Sequence, residues 1–501
     1  MEKNIIEMRQ WKYFLVLFIG LFLVVSSCED ILKEDPQDQI FESNYFETVD
    51  DGLGAVNGIY AALNSDAGAA PTFGGVYHST YWVVQGLASD EMKNNQPGTP
   101  DYDQLDNFNF NSANTNFSDM WARHYFAISL ANFAIRGIST SPIEEGMKTR
   151  LIGEASFLRG VLYFGLVRIF GEVPLMLEES SELRPDKSTL DEIYGQIIAD
   201  LELASISLPE SYPLGDGLGR ATLGAAHGVL AKVYLKRNEW QMAIDHAESV
   251  RSIPGYGLWP DFADAFRLAN ENGQETIFGI GFGDGGGAIS FWEVGQFNVR
   301  LLPSELGSVI PGVNAQGWQV ATQNTHDAFE DGDRRKTVTF MTEVGGDALD
   351  EIYIRKYWDD IGEPSAGNTE VDFPYMRFSE VLLIQAEALN ELNGGPTVEA
   401  YDAINQVRRR ARFDGTSDQN VLPDLSGLTQ TQFRDAILLE RRREFVGEGQ
   451  RWFDLVRMDK LQELVPISKP GVTPLANHGL FPIPLTELDL NPNLLPQNAG
   501  Y

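Results

Sequence analysis

Nine charged side chains crowd one short stretch: Glu440, Arg441, Arg442, Arg443, Glu444, Glu448, Arg451, Asp454 and Arg457. Glu440 and Glu444 stand four residues apart and share a helix face, the raw material of an acid–base pair. A retaining glycosidase pair sits about 5–5.5 Å apart across a sugar, normally on separate elements. Neighbours on one helix, flanked by arginines, are better matched to ion pairing. Gly281-Phe282-Gly283-Asp284-Gly285-Gly286 has the spacing of a dinucleotide fingerprint. That fingerprint needs a helix directly after it, and Gly287 to Trp292 carries no helical stripe, so the segment reads as a glycine-rich loop. Asp327, Glu330, Asp331 and Asp333 lack the alternation of a calcium loop and read as a turn with local ion pairs to Arg334 and Arg335. The six histidines, His78, His124, His227, His246, His326 and His478, show no zinc-type spacing. No catalytic residue, metal or cofactor is expected.

Binding without chemistry has better candidates. Sugars offer weakly polar faces and rims of hydroxyls, which exposed aromatic rings and Asn, Asp, Gln or Arg side chains complement. Residues 64–114 and 254–373 are rich in Gly, Pro and Asn and carry aromatics in loop-like surroundings. The candidate ligand-binding residues there are Trp292 and Trp318, Tyr102 with Asn94, Asn95 and Asp101, and Tyr77 and Trp358. Trp82, Trp121, Trp240 and Trp452 fall in helical patterns and read as core.

Helices must position those loops. Glu154–Phe170 repeats apolar residues at three- and four-residue spacing and stops at Gly171, with Pro174 close behind. Asp191–Leu203 repeats the pattern. Thr222 is placed to cap a helix running to Lys236, and Trp240 opens the next. Val381–Leu392, a stripe through Ala400, Ile404, Val407 and Ala411, and a third run from Phe433 form a second set. Paired short helices with Ala at contact positions suggest tetratricopeptide-like hairpins or generic ones. Thr276–Phe282, Thr337–Met341 and Ile352–Trp358 read as short strands. The fold class is therefore mainly α, with a loop-rich, sparse-β region.

The N-terminus reads as an address. Lys3, Arg9 and Lys12 precede an apolar run of 13 residues, Tyr13–Val25. A spanning helix needs about 20, so this is a secretory signal. Val25-Ser26-Ser27-Cys28 resembles a bacterial lipobox, which implies cleavage before Cys28 and lipidation of that residue, the chain's single cysteine. Residues 28–44 follow as a polar, acidic tether. With 72 acidic against 38 basic residues and a net charge of −34, the chain lacks the basic surface that nucleic acid or an anionic leaflet would require.

Five stretches, in order, resemble the SusD/RagB family. They are Leu87-Ala88-Ser89-Asp90-Glu91-Met92; Gly153–Gly160 continuing to Leu166–Leu175; Arg377–Ala388; Glu440–Phe445 continuing to Glu448–Arg457; and Phe481-Pro482-Ile483-Pro484 through Asn491–Leu494 to Gln497–Tyr501. The resemblance covers most of the chain beyond the signal. It implies a helical scaffold of tetratricopeptide-like units and an outer-membrane lipoprotein facing the cell exterior. It also implies capture of oligosaccharides, and a SusC-like TonB-dependent transporter as partner. In the family the binding face draws on the loop after the Ser-Asp-Glu step and on the irregular middle, here Asn94–Tyr102 and Phe291–Trp318. The expected organisation is a signal at 1–27, a tether at 28–44, an N-terminal helical part at 45–253, a loop-rich insertion at 254–373 and a C-terminal helical part at 374–501. Peptide or glycopeptide capture, a scaffold without ligand, and a secreted hydrolase are the alternatives; the loop aromatics favour glycan capture.

Overall fold

The computed structural model describes residues 45–65, 74–96, 98–178, 183–213, 217–283, 295–361 and 370–501. Packing divides the chain into two units, Met1–Glu47 and Thr48–Tyr501. In the first, only residues 45–47 are described, and the Tyr45 and Phe46 rings meet edge-on at 4.8 Å. Cys28 and its tether lie outside the described residues. The second unit carries every element below.

Its helices begin where side chains can satisfy their free N–H groups. Reciprocal capping boxes start α1 (Val49–Asn64) with Thr48 and Asp51, α5 (Leu190–Ser207) with Thr189 and Glu192, and α10 (Gln430–Glu444) with Thr429 and Gln432. The short α2 spans Thr80–Leu87. α3 (Thr115–Thr140) and α5 flank α4 (Glu145–Phe170). The C-terminal part of α4 is buried on every side, which is why apolar residues spread around it there instead of forming one stripe. Gly153 permits the close approach of α4 to α5, since a Cβ there would lie 2.7 Å from Ser207 Cβ. α4 ends, as expected, at Gly171, whose φ of 74° suits glycine.

Two hairpins complete the scaffold. In the first, Thr222 accepts from the Ala225 N–H at 3.1 Å to open α6 (Leu223–Lys236), and α7 (Trp240–Ser252) returns against it. In the second, α8 (Phe378–Leu392) and α9 (Val398–Ala411) turn through Gly394 at φ 67°. α7 packs on α8 and joins the hairpins; α10 packs on α8, and α11 (Arg451–Arg457) follows. This is the tetratricopeptide-like arrangement, with α8 starting at Phe378, one turn before Val381. Among the described residues, no helix is long and apolar enough to cross a membrane. Trp82, Trp121 and Trp452 are buried as expected, whereas Trp240 is only half-buried.

The strands differ more from expectation. β1 (Met92–Asn94), β3 (Gln319–Ala321), β5 (Asp347–Ile354) and β4 (Phe340–Val344) form one sheet in that order, and β2 (Thr276–Ile280) pairs with β6 (Phe373–Arg377). Thr337 belongs to a helix, Arg334–Thr339, capped by Asp333, so the strand expected there begins three residues later. The β4–β5 turn passes through Gly345 and Gly346, both at positive φ, a geometry that suits the twist of a tight hairpin.

Charge is buried with its partners. Arg335 meets Asp333 at 2.9 Å, Glu440 at 2.7 Å and Glu444 at 3.2 Å. Arg377 meets Glu275 at 2.7 Å, Glu444 at 2.8 Å and Glu448 at 2.7 Å, and Arg410 also reaches Glu275 and Glu444. Burial raises the Glu444 pKa, but the guanidiniums of Arg410, Arg377 and Arg335 outweigh it and hold the carboxyl well below the usual range. Glu440 and Glu444 are thus members of an ion network, as their arginine-rich surroundings implied. Asp331 pairs with Lys336 at 3.1 Å, so this turn too is held by local ion pairs.

Candidate functional site

Strand pairing fuses two distant loops. β1 runs antiparallel to β3, with Asn94 opposite Gln319. The pairing continues past the strand ends. The Asn95 backbone N–H donates to the Trp318 carbonyl at 2.7 Å, and its Nδ2 donates to the Gly317 carbonyl at 2.9 Å, across 222 residues of sequence. Gly317 has φ 59°, and a Cβ there would stand 2.4 Å from Tyr353 Cε1, so only glycine lets this loop lie on the Tyr353 ring.

Arg300 joins Trp318 of the second loop to Tyr102, which stands on a short helix, Pro100–Asp106, after the first. Arg300 itself sits on the short helix Phe297–Leu301, tied to the Trp318 loop by the Gln316 N–H, which donates to the Val299 carbonyl at 2.8 Å. Its guanidinium carbon lies 5.1 Å from the centre of the Trp318 ring and 5.9 Å from that of Tyr102, and Nη1 reaches the Tyr102 hydroxyl at 3.4 Å. All three side chains are half-buried, and Asn95 beside them is exposed. Among the described residues no carboxylate pairs with Arg300, and its buried Nε has no acceptor. A rigid ring face, an unpaired guanidinium and an amide on one surface suit a ligand with a weakly polar face and hydroxyl acceptors.

The other expected residues divide. Asn94 is consumed inside its own loop, donating to Asp103 Oδ1 at 2.7 Å, Thr99 Oγ1 at 3.1 Å and the Gln96 carbonyl at 3.2 Å. The Asp101 carboxylate accepts from the Thr115 N–H at 3.0 Å and so secures the start of α3. Both shape the loop, and neither presents its side chain as a free binding group. Tyr77 is a correction: it is fully buried, its ring 5.5 Å from Phe373 and 4.8 Å from Tyr81. It is therefore core, not an exposed platform. Trp358 lies under Arg355, 5.1 Å from its guanidinium carbon, in a separate cleft with Arg267, Arg334 and Asp360. Trp292 lies outside the described residues. Arg300 was missed; a lone Arg in an apolar stretch, Asn298-Val299-Arg300-Leu301, offers no motif. Among the described residues, no three His, Cys, Asp or Glu side chains gather as a metal-binding group.

The root of β1 is fixed by two adjacent carboxylates with opposite behaviour. Asp90 accepts both Nε and Nη2 of Arg451, at 2.7 and 2.8 Å. Burial works against its charged form, but Arg451 and Arg442 prevail and lower its pKa to about 2. Glu91 accepts the Gly447 N–H at 2.8 Å, yet burial dominates and pushes it up to about 7. Thr322 and Thr325 also donate to the carbonyl of Asp90, at 2.8 and 3.2 Å, so the step before the site is bonded on several sides.

Comparison with known proteins matches this architecture. Residues 317–501 match the model of the SusD family, and residues 67–235 match a model described as starch-binding associating with outer membrane. A SusD-like protein of Formosa agariphila is 30% identical over 98% of this chain and 100% of its own. A solved SusD homolog from Bacteroides thetaiotaomicron superposes with a TM-score of 0.78 at 22% identity, covering 92% of this chain and 98% of that one. A structure named as a laminarin binding SusD-like protein superposes with a TM-score of 0.73 at 25% identity, covering 91% and 100% of the two chains. With a relative similar along the full length of both chains, and the helical hairpins shared with solved structures, the chain belongs to the SusD family.

Proposed function

We propose that this protein is a surface glycan-binding lipoprotein. It captures oligosaccharides on the face formed by Trp318, Tyr102, Arg300 and Asn95, and delivers them to a SusC-like TonB-dependent transporter. Lipid on Cys28 holds it at the outer membrane, facing outward. It binds without transforming its ligand, and needs no cofactor. The observation that carries this reading is the meeting of two half-buried aromatics, 216 residues apart in sequence, around one arginine that has no carboxylate partner among the described residues. A sugar ring stacks on Trp318 while Arg300 and Asn95 bond its hydroxyls. Family membership supports the outer-membrane association, and the laminarin-binding relative supports a glycan as ligand. Trp292, which lies outside the described residues, is proposed as a further ligand-binding aromatic. Affinity electrophoresis against plant, host and microbial polysaccharides, followed by calorimetry, tests it. One glycan class should retard the protein, and Trp318→Ala should abolish that retardation. Absence of binding across the panel, or binding indifferent to Trp318, would sink the assignment.

A further inference from the structure

A cavity of 370 Å³ opens among α4, α5, α6, α8, α10 and α11 and shares no lining residue with the face around Trp318. Its wall holds more cations than the nearby carboxylates answer. Glu380 accepts from Lys232 at 3.1 Å and from Arg441 at 3.1 Å. Asp454 accepts from Arg441 at 2.7 Å and from Arg457 at 2.9 Å, and Glu387 pairs with Arg457. Arg237 pairs with Glu239 at 2.6 Å and with Asp191 at 3.8 Å, so Arg168 and Lys236 remain, and among the described residues neither has a carboxylate within ion-pair distance.

Arg168 is held in place, sandwiched between the rings of Phe164 and Phe453, 4.0 Å from each centre. It donates Nε to the Phe164 carbonyl at 3.0 Å and Nη2 to the Tyr81 hydroxyl at 3.1 Å. Its Nη1 has no acceptor among the described residues. The Nη1 of Arg441 is buried and also lacks an acceptor. Burial, with Arg168 and Arg441 adding to it, pushes Lys232 down to about 8; burial, Arg168 and Arg457 push Lys236 down. A buried guanidinium without a carboxylate, such as Arg168, is costly, and this chain has 72 acidic residues from which to answer it. The surplus is therefore a local property of the cavity.

We infer that this cavity is a binding site for a small oxyanion, a phosphate or sulfate group, free or carried on a sugar-sized body. Two guanidiniums and an ammonium offer the donors such a group takes, and Tyr194 and Leu480 line the space as apolar walls for an attached ring. The site is independent of the glycan face, so the two proposals can fail separately.

The test uses the purified protein at constant ionic strength. Calorimetry and thermal melting are measured with inorganic phosphate, inorganic sulfate, glucose 6-phosphate and glucose, with chloride as the control salt. Saturable binding of inorganic phosphate or sulfate supports a free ion as ligand. Binding of glucose 6-phosphate alone supports a carried group. Lys236→Gln, at a half-buried position, should weaken binding about tenfold while Lys236→Arg retains it, and neither should change glycan retardation. No saturable binding of any anionic probe overturns the inference, as does equal affinity in a folded Lys236→Gln protein. Arg168→Gln should weaken anion binding as well, and equal affinity in a folded Arg168→Gln protein would overturn the inference; should that variant fail to fold, the Lys236 pair still decides.

Discussion

Two regions of this molecule use arginine in opposite ways. Around Glu444, the guanidiniums of Arg335, Arg377 and Arg410 are buried and each meets at least one carboxylate. On the loop face, Arg300 is half-buried, meets two aromatic rings and has no carboxylate among the described residues. The first arrangement leaves little capacity for a ligand and fixes the geometry of helices and strands. The second leaves donors free on a surface built on the pairing of β1 with β3. A sequence rich in Arg and Glu thus divides its charge between holding the frame and meeting a ligand, and only the partners tell which is which.

Breaking the frame should cost most. Arg377→Ala leaves Glu275, Glu444 and Glu448 short of a shared cation, and a loss on the order of 3–5 kcal/mol is expected. Urea unfolding measures it, and a loss below about 1 kcal/mol would mean that the network is not a structural keystone.

Trp318→Ala should leave the melting transition nearly in place and weaken glycan binding by roughly 10- to 100-fold, or about 1.4–2.8 kcal/mol. The reverse pattern, lost stability with intact binding, would move Trp318 from the face to the frame.

Glu91 sharpens the comparison through pH. Its folded pKa of about 7 lies above the ordinary value of 4.5, so between these values the folded state holds the extra proton. Its contribution to stability is therefore fully present below pH 4.5 and is lost as pH rises through 7. Glu91→Gln, which keeps an acceptor for Gly447, should be more stable than the parent at pH 8 by about 1–3 kcal/mol and should lose that slope. Melting curves from pH 5 to 8 check it. Asp90, with a folded value of about 2 against 3.8, has the opposite sign: its stabilisation is present above 3.8 and disappears as pH falls towards 2.

Tyr102→Phe should matter least. The Tyr102 hydroxyl meets Arg300 Nη1 at a long 3.4 Å, so removing it should change glycan affinity by no more than about threefold. A larger loss in calorimetry would give the hydroxyl its own contact with the sugar.

The helices were legible because their signals are local. Thr222 as a cap and Gly171 as a stop lie within a few residues of what they terminate. The strands were less so: β1 and β3 are three residues each, too short for a period to register. The site was legible by region and not by residue. Asn94 and Asp101 have side chains fit for sugars, but the same groups close turns and caps, and here they do so. Tyr77 follows two glycines and looks like a loop tip, but β6 brings Phe373 and Tyr375 against it. Arg300 gave no sign because its partners are defined only by strand pairing. The ion network was half legible: Glu440 and Glu444 were recognised as pairing groups, but Arg335, Arg377 and Glu275 come from far along the chain.

The bond between Asp90 and Arg451 spans 361 residues. β1 begins two residues after Asp90 and pairs with β3, but among the described residues the buried carboxylate at its root is answered in bidentate fashion only by this distant arginine. Loop closure over such a distance delays the reward of folding until late. Asn95, Tyr102, Arg300 and Trp318 all precede Arg451, so what the distant arginine adds is not a member of the face but the cation at its root. Arg451→Gln should therefore leave Asp90 buried without its bidentate partner and loosen β1 at its root, which faster hydrogen exchange of the β1 amides would show.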